Sequence, residues 1–349
     1  MSLARLLLIV AAGLAVSASA EELVDRCARL VEEAKSRDES VIRGKDDWLF
    51  LPSDLRHVAA GPFWGENAAK VSRARKPAEA DPLPAILDFR EGLAAHDIEL
   101  VLVPVPPKAL VHHAKLPGET ATDPTAARAT HLEFLKLLRE SGLTVLDLLP
   151  ELESLRADPK RAPYCRSDTH WAGPAIELAA EQTAKQLLDT KALEAGPGGF
   201  VAEPRTITIE GDLWRELEER PAQEQLTLDF IGTKTDAGFE PLASDPESPV
   251  LVLGDSHVLV FSVGADLHAK GAGLPEQLAR RLGRRVDVLG VRGSGATPAR
   301  ISLFRKARRD PSWLAGKRAV VWCFTARELT QASGWRKVPV PPPPSSEPG

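Results

Sequence analysis

Short apolar runs alternate with amphipathic stretches from about residue 82 to residue 330, and this rhythm predicts strands alternating with helices. Residues 98–105 and 318–324 are nearly continuous apolar runs of strand length, whereas residues 126–141 space their leucines as an amphipathic helix does. Strands that are apolar throughout fit a parallel sheet covered on both faces. The pattern therefore predicts an α/β domain of three layers, α/β/α, with a mainly parallel sheet. The other predicted strands of the sheet are 143–148, 249–253 and 286–291, and the other predicted helices are 22–35, 82–96, 174–189 and 297–308.

Two segments depart from this rhythm. Residues 195–247 are rich in glycine, proline and charge, with β-like patches at 206–209 and 226–231, so we expect an irregular insertion or cap between strands of the sheet. Residues 41–51 hold two apolar runs around a Gly-Lys-Asp-Asp turn, which predicts a hairpin.

Both ends of the chain lie outside the predicted domain, which spans 21–337. Residues 1–20 have the pattern of a secretory signal peptide: Arg5 provides the positive charge, residues 6–16 are apolar, and an Ala-Ser-Ala cleavage site follows. The apolar run is shorter than the about 20 residues of an ordinary membrane span, and an uncleaved signal anchor is the alternative. Either leader places the domain in the periplasm or outside the cell. Residues 338–349 contain six prolines and are expected to be disordered.

Composition and charge exclude several classes of protein. The 349 residues are 43% apolar and 27% charged, which is ordinary for a globular chain. With 44 basic against 49 acidic residues, the net charge of −5 disfavours a nucleic-acid partner. The three cysteines form no CxxC pair, which excludes the usual structural zinc site. Export permits a disulfide, and because Cys323 lies in an apolar run as a small core residue, we expect Cys27 to pair with Cys165.

A serine follows the predicted strand 249–253, in the sequence Gly254-Asp255-Ser256-His257. Ligands of open α/β sheets bind at the carboxyl ends of the strands. Glycine permits a tight turn there, and a following helix would present free N–H groups that stabilise negative charge. Nucleophilic attack on an acyl carbon requires such stabilisation. Taken alone, the motif also fits a turn with an N-cap serine.

A second motif, Asp168-Thr169-His170, precedes the predicted helix 174–189. If the segment is extended, its carboxylate can accept the imidazole Nδ1–H and leave Nε2 to take a proton from a serine. The alternatives are a helix-entry aspartate beside a surface histidine, or two ligands of a metal site. We expect neither metal nor cofactor, because no third ligand cluster is evident.

The two motifs together predict a serine acyl-transfer site. Ser256 would be the nucleophile, His170 the base and Asp168 the group that orients it. His257 is a rival base, but a side chain adjacent to the serine on a tight turn usually points away from it.

Across roughly residues 40–336 the chain resembles the alginate O-acetyltransferases of the AlgJ/AlgX type, a family with an SGNH-hydrolase-like domain. The specific blocks are 164–171 (YCRSDTHW) and 252–257 (VLGDSH). In ordinary SGNH esterases the serine comes first, whereas here the Asp-x-His block precedes it, which is the permuted order of this family. The supporting blocks are 44–51 (GKDDWLFL), 103–109 (VPVPPKA), 292–296 (RGSGA) and 322–329 (WCFTAREL).

This resemblance implies an exported O-acetyltransferase that acts on an alginate-like exopolysaccharide through an acetyl-Ser256 intermediate. It also implies a membrane-bound O-acyltransferase partner that supplies acetyl. An acetyl-carbohydrate esterase with the same triad and a non-catalytic polysaccharide-binding scaffold stay open as alternatives. The Ser256 N–H and one further donor would hold the oxyanion. The candidates for oxyanion or substrate contact are Gly293, Ser294, Gly295, Tyr164, Lys108 and Arg327.

Overall fold

Strands and helices alternate along the chain as the apolar pattern predicts. The computed structural model describes residues 20–236 and 238–343, so the expected signal peptide lies outside the described residues except for Ala20. No helix in these ranges is both long and apolar enough to cross a membrane. The strands are β1 (Glu21–Glu22), β2 (Ile42–Arg43), β3 (Leu49–Phe50), β4 (Glu99–Val105), β5 (Thr122–Asp123), β6 (Thr144–Val145), β7 (Val201–Ile209), β8 (Glu224–Thr235), β9 (Gly238–Pro241), β10 (Val250–Gly254), β11 (Asp287–Gly290) and β12 (Ala319–Thr325). The helices are α1 (Leu23–Ser36), α2 (Pro52–Val58), α3 (Ala68–Val71), α4 (Leu83–Ala94), α5 (Lys108–Val111), α6 (Thr125–Glu140), α7 (Leu149–Leu155), α8 (Gly173–Asp189), α9 (Asp212–Arg215), α10 (Ser256–Leu259), α11 (Leu274–Leu282), α12 (Thr297–Arg309), α13 (Pro311–Ala315) and α14 (Glu328–Gln331).

The central sheet has five strands in the order β11-β10-β12-β4-β6, and all of its pairings are parallel. Its strands are apolar on both faces because each face packs against helices. Val101 and Val252 belong to a core shared with α1, α8 and α11, whereas Leu102 and Leu253 belong to a second core shared with α4 and α12. The predicted three-layer α/β/α architecture is therefore confirmed.

The parallel arrangement brings the candidate residues to one edge of the sheet. Strands β4, β10, β11 and β12 all end at this edge, because parallel strands point the same way. Lys108 follows β4, Ser256 follows β10, the 293–295 turn follows β11 and Arg327 follows β12. The predicted placement of the site at the carboxyl ends of the strands is thus explained by the topology.

The insertion at 195–247 is regular, not irregular as expected. It contains a three-stranded antiparallel sheet, β7-β8-β9, in which Ile207 lies opposite Leu226. The two β-like patches of the sequence fall within β7 and β8. Most of β7 is half-exposed or exposed, so its sequence lacks the continuous apolar run that marked the central strands.

The hairpin predicted at 41–51 is present, with Ile42 of β2 paired antiparallel to Phe50 of β3.

The expected disulfide between Cys27 and Cys165 is wrong. Both are free, fully buried thiols in the core on one face of the sheet, and burial raises the pKa of each. The Cys165 thiol donates to the carbonyl of Trp171 at 3.5 Å. Cys323 is buried in β12, as expected of a core residue.

The proline-rich tail lies against the domain over its described part. Val338 is buried, and a Cβ on Gly92 of α4 would lie 2.7 Å from a methyl carbon of Val340. The Nε2 atom of His96 is hydrogen-bonded to the Pro341 carbonyl at 2.6 Å. Residues 338–341 therefore pack against the domain, where the sequence predicted disorder, whereas residues 344–349 of the predicted tail lie outside the described residues.

Candidate active site

The Asp168 carboxylate accepts four hydrogen bonds. Its Oδ1 atom accepts from the Nδ1–H of His170 at 2.6 Å and from the His170 backbone N–H at 2.9 Å. Its Oδ2 atom accepts from the Asp212 backbone N–H at 2.8 Å and from the Nε2–H of His268 at 2.9 Å. The spacing of the Asp-x-His motif therefore produces the predicted side-chain contact, inside a cage of donors that fixes the carboxylate.

This contact determines which nitrogen of His170 is basic. Because Nδ1 carries the proton that Asp168 accepts, the lone pair is on Nε2. That Nε2 atom is buried and has no hydrogen-bond partner in the described part of the chain. An imidazole in this tautomer, with its second nitrogen free, is the form that removes a proton from a nucleophile.

Burial and charge act in opposite directions on both members of this pair. Burial alone would lower the pKa of His170, but the Asp168 carboxylate and its hydrogen bond raise it, and the net pKa lies above 6.5. Burial alone would raise the pKa of Asp168, but His170 and His268 more than offset this, so the net pKa lies well below 3.8. Asp168 is therefore ionised, and its charge increases the proton affinity of His170.

Ser256 begins α10 immediately beyond β10. A Cβ at Gly254 would lie 1.7 Å from the Cys323 carbonyl oxygen, so only glycine fits at this approach to β12. Asp255 caps the helix: its Oδ1 accepts the His257 N–H and its Oδ2 accepts the Thr325 N–H, both at 2.8 Å. Ser256 is half-buried, and its N–H is one of the amide groups at a helix start that have no acceptor within the helix.

The two motifs meet at the sheet edge. The Trp171 indole N–H donates to the His257 carbonyl at 3.0 Å, and the rings of His170 and His257 lie 4.9 Å apart between centroids. The Oγ atom of Ser256 and the Nε2 atom of His170 are not hydrogen-bonded to each other in the residues described. A catalytic hydrogen bond of this kind often tightens only when substrate binds.

His257 is placed less favourably as a base. Its ring is buried and packs against Trp171 at 5.9 Å between centroids. Burial lowers the pKa of His257, and the partial compensation by Asp255 does not reverse the direction. His257 is therefore the weaker base of the two.

Two side chains hold residues 164–171, the Asp-x-His loop, from opposite sides. The Lys108 ammonium donates to the carbonyls of Leu49 at 2.6 Å, Arg166 at 3.1 Å and Asp168 at 2.9 Å. The Glu224 carboxylate accepts the backbone N–H groups of Arg166 at 2.8 Å and Ser167 at 2.9 Å. The loop conformation is thus fixed by the buried Lys108 on one side and by Glu224 of the insertion on the other.

Two of the candidate substrate contacts are structural instead. All three ammonium protons of Lys108 are used by the carbonyls just named, and burial lowers its pKa. Tyr164 is buried and donates its hydroxyl to the Pro106 carbonyl. Neither residue has a proton free to offer a sugar or an oxyanion. Both were candidates because the sequence shows residue type and not burial.

The turn at 293–295 packs directly against the serine turn. A Cβ at Gly295 would lie 3.0 Å from the Asp255 backbone nitrogen, and the Gly295 carbonyl accepts the Trp322 indole N–H at 2.8 Å. Gly293 has a φ of +86°, and the Ser294 hydroxyl donates to the Glu328 carboxylate. The turn therefore places backbone beside Ser256.

Arg327 lies in a cleft of about 350 Å³ that opens at this edge. It is half-buried and forms no ion pair within the described ranges, and its charge acts to lower the pKa of both His170 and His257. The cleft presents three guanidinium groups and one of the glycines of the turn. Its lining residues are Leu51, Ser53, Arg56, Arg73, Gly293, Arg327, Glu328 and Gln331.

One group of side chains in the described chain has the spacing of a metal site. It consists of Asp168, His170 and Asp212, whose ligand atoms lie within 4.8 Å of one another. The Asp212 carboxylate already accepts the Thr169 N–H at 2.8 Å and the Thr169 hydroxyl at 2.5 Å, and Asp168 accepts four donors. The oxygens of both carboxylates are thus engaged by hydrogen-bond donors, which is the pattern of a hydrogen-bonded network and not of metal ligands.

Three residues of the site escaped the sequence interpretation. Asp212 and Glu224 lie in the insertion, and His268 lies 100 positions from Asp168. None of them belongs to a motif with a spacing that would connect it to the Asp-x-His block. Only the tertiary fold brings them to it.

Named proteins of Pseudomonas are similar to this chain over most of its length. It is 26% identical over 301 residues to a probable alginate O-acetylase AlgJ of Pseudomonas putida, covering 83% of this chain and 70% of that protein. It is also 26% identical over 312 residues to the Pseudomonas aeruginosa protein of the same name, covering 84% and 71%.

Solved structures share the fold. The O-acetyltransferase domain of Pseudomonas putida AlgJ superposes with a TM-score of 0.62 at 24% identity, covering 83% of this chain and 92% of that one. Pseudomonas aeruginosa AlgX superposes with a TM-score of 0.60 at 18% identity, covering 85% and 65%. The family model of the SGNH hydrolase-like domain of acetyltransferase AlgX matches residues 41–326. The chain therefore belongs to the family of SGNH hydrolase-like, AlgX-type acetyltransferase domains, which confirms the resemblance and the enzyme class that it implied.

Proposed function

We propose that this protein is an exported serine O-acetyltransferase that acetylates hydroxyl groups of an exopolysaccharide through an acetyl-Ser256 intermediate. The observation that carries the proposal is the Asp168–His170 pair, with its basic Nε2 atom unpartnered, at the sheet edge where Ser256 begins α10. Family membership and relatives named as alginate O-acetylases support the acetyl group and the polysaccharide.

In the first half-reaction the Ser256 hydroxyl oxygen attacks the carbonyl carbon of an acetyl ester while His170 Nε2 takes the hydroxyl proton. The resulting oxyanion accepts the Ser256 N–H and a second backbone N–H. We assign the second donor to the 293–295 turn, because that turn packs against Asp255. Collapse breaks the bond to the donor oxygen, which leaves with the proton from His170, and acetyl stays on Ser256.

In the second half-reaction a sugar hydroxyl replaces the departed group. His170 Nε2 takes its proton, the sugar oxygen attacks the acetyl carbon, and Ser256 leaves with the proton returned to its oxygen. Water in place of sugar gives acetate, so the acceptor alone separates a transferase from an esterase with the same triad.

The arginine-lined cleft supports an acidic acceptor. Arg56, Arg73 and Arg327 bring three guanidinium groups to the edge that carries Ser256, and guanidinium groups bind carboxylates in bidentate geometry. We therefore propose that the polymer carries uronate carboxylates, as an alginate-like chain does. The acetyl donor would come from a membrane-bound O-acyltransferase partner, and the leader at 1–20 would deliver the domain to the periplasm.

The test compares the wild-type domain with Ser256→Ala, and uses Ser154→Ala, an exposed serine of α7, as the matched control. Each protein receives p-nitrophenyl acetate with acidic or neutral oligosaccharides, and mass spectrometry follows the sugar, free acetate and the acetylated serine. We expect acetylated acidic sugar and acetyl-Ser256 from wild type and Ser154→Ala, and neither from Ser256→Ala. Release of acetate alone would show an esterase, and equal products from Ser256→Ala would refute both enzymes.

A further inference from the structure

A second histidine donates to the carboxylate that orients His170. The Nε2–H of His268 lies 2.9 Å from Asp168 Oδ2, the oxygen that His170 does not use. The imidazole side chain is 6% exposed and packs against the Phe261 ring at 5.7 Å between centroids. His268 therefore meets Asp168 from the side opposite His170 and is shielded from solvent there.

The backbone that carries His268 is in a conformation that non-glycine residues seldom adopt. His268 has φ 73° and ψ −65°, and Phe261 and Ala265 also have positive φ. Such conformations are strained and persist where the surrounding structure enforces them, often at functional sites. Here the Phe261 N–H donates to the Leu267 carbonyl at 3.0 Å, and the Ala272 N–H donates to the Phe261 carbonyl at 2.8 Å. These bonds close residues 261–272 into what we name the histidine loop.

The histidine loop is anchored to both neighbours of the site. Its Asp266 carboxylate binds the Arg292 guanidinium at 2.5 Å, and Arg292 leads into the 293–295 turn. The Asp266 carbonyl accepts from Arg215 at 3.1 Å, and Arg215 ends α9, the helix that begins with Asp212. The histidine loop is therefore tied to α9, the helix that carries the other donor on Asp168 Oδ2.

We propose that His268 is a positioning residue of the acyl-transfer site, which acts through Asp168. With His268 and the Asp212 N–H on Oδ2, the carboxylate cannot rotate, so Oδ1 stays on the Nδ1–H of His170 and the lone pair stays on Nε2. This inference rests on the proposed function for its kinetic consequence, although the hydrogen bond itself does not. His268 is assigned no contact with the acetyl donor or sugar, so its loss should lower kcat and leave KM unchanged.

The kinetic test uses two substitutions, of which only one can donate a hydrogen bond to Asp168. His268→Phe retains a ring without a donor, and His268→Gln restores an N–H of similar reach. We expect kcat for Ser256-dependent ester cleavage to fall about 10- to 100-fold in His268→Phe, the effect of losing one hydrogen bond to a charged group, with KM unchanged. His268→Gln should recover most of that loss. His96→Phe, at the tail contact, is the matched control and should match wild type.

An unchanged kcat in His268→Phe, or an equal loss in His268→Phe and His268→Gln at equal melting temperature, would refute the proposal. Proton NMR provides a readout that does not depend on activity. The Nδ1–H of His170 in its 2.6 Å hydrogen bond should give a low-field resonance in wild type and His268→Gln that is shifted or lost in His268→Phe. If wild type shows no Ser256-dependent cleavage, the proposed function fails, and the resonance still decides whether His268 holds Asp168. An identical resonance in wild type and His268→Phe would overturn the inference.

Discussion

At the scale of single residues, the charge of Asp168 determines the behaviour of His170. Burial favours the neutral imidazole, yet the buried carboxylate 2.6 Å away raises its pKa above 6.5. In the proposed mechanism neutral His170 is the base, so activity should rise with pH as His170 loses its proton, with a midpoint above that value.

Asp168→Asn should change both the position and the height of this pH profile. Without the carboxylate, burial is opposed only by the more weakly acting charge of Asp212 and lowers the pKa of His170, so the acid limb of kcat/KM should move to lower pH. The plateau should fall about 10³- to 10⁴-fold, because the tautomer of His170 is no longer fixed. Rates of Ser256-dependent ester cleavage from pH 4 to 9 measure both effects. Asp189→Asn, in an exposed pair with Lys185, should reproduce the wild-type curve, and an acid limb that stays in place in Asp168→Asn would contradict this account.

The residues of the site differ in how far the sequence reveals them. Asp168 and His170 are two positions apart, so local geometry alone brings their side chains together, and the pairing could be predicted. Lys108 has the residue type of a sugar ligand, but its role depends on burial and on three carbonyls from two other segments. His268 reaches Asp168 only because its own backbone is in a strained turn, and no pattern of residue types predicts that turn.

At the scale of elements, the strands that are buried on both faces could be predicted from the sequence, and the exposed strands could not. Strands β4, β10 and β12 are buried on both faces and have the continuous apolar runs by which they were predicted. Strands β7 and β9 are mostly half-exposed or exposed, so their composition resembles that of a loop. The sequence therefore predicted only two short patches of the antiparallel sheet in the insertion.

The start of α11 should make the stability of the domain depend on pH. The buried Glu276 carboxylate accepts the Gly273 N–H at 3.1 Å and the Ser262 hydroxyl at 2.5 Å, and burial raises its pKa from 4.5 to about 7. Between these two values the folded chain holds a proton that the unfolded chain has released, so the free energy of unfolding should decrease as pH rises. The decrease should be about 1–3 kcal/mol, complete above about pH 7.

Glu276→Gln keeps an acceptor for both donors and cannot ionise, so this part of the pH dependence should disappear. Urea unfolding at pH 5 and pH 8 measures this pH dependence as the difference between the two free energies of unfolding. Glu181→Gln, at an exposed position of α8, should retain the wild-type difference. A Glu276→Gln protein with that same difference would show that the carboxyl is not the source.

At the scale of the whole molecule, the site is a junction between the central sheet and the insertion. Ser256 and Lys108 lie just beyond strands of the sheet, whereas the insertion supplies the Asp212 N–H and the Glu224 carboxylate that hold the Asp-x-His loop. The insertion is therefore part of the framework that holds the proposed site and not only a cover. The insertion also packs tightly on this loop at Gly211, where a Cβ would lie 2.0 Å from the Ser167 carbonyl oxygen.

Gly211→Ala should therefore shift the insertion relative to residues 164–171. Relief of the clash must move either α9 or the Asp-x-His loop, and each carries a hydrogen-bond partner of the Asp168 carboxylate. A displacement of about 1 Å can cost about 10²-fold in rate, so we expect kcat to fall by that order, with about 1–3 kcal/mol of lost stability from overpacking. Ester cleavage and thermal unfolding measure the two losses. Gly316→Ala, whose Cβ would meet nothing nearer than 3.5 Å, should leave both unchanged. Wild-type kcat in Gly211→Ala would mean that the insertion does not set the position of Asp168 and His170.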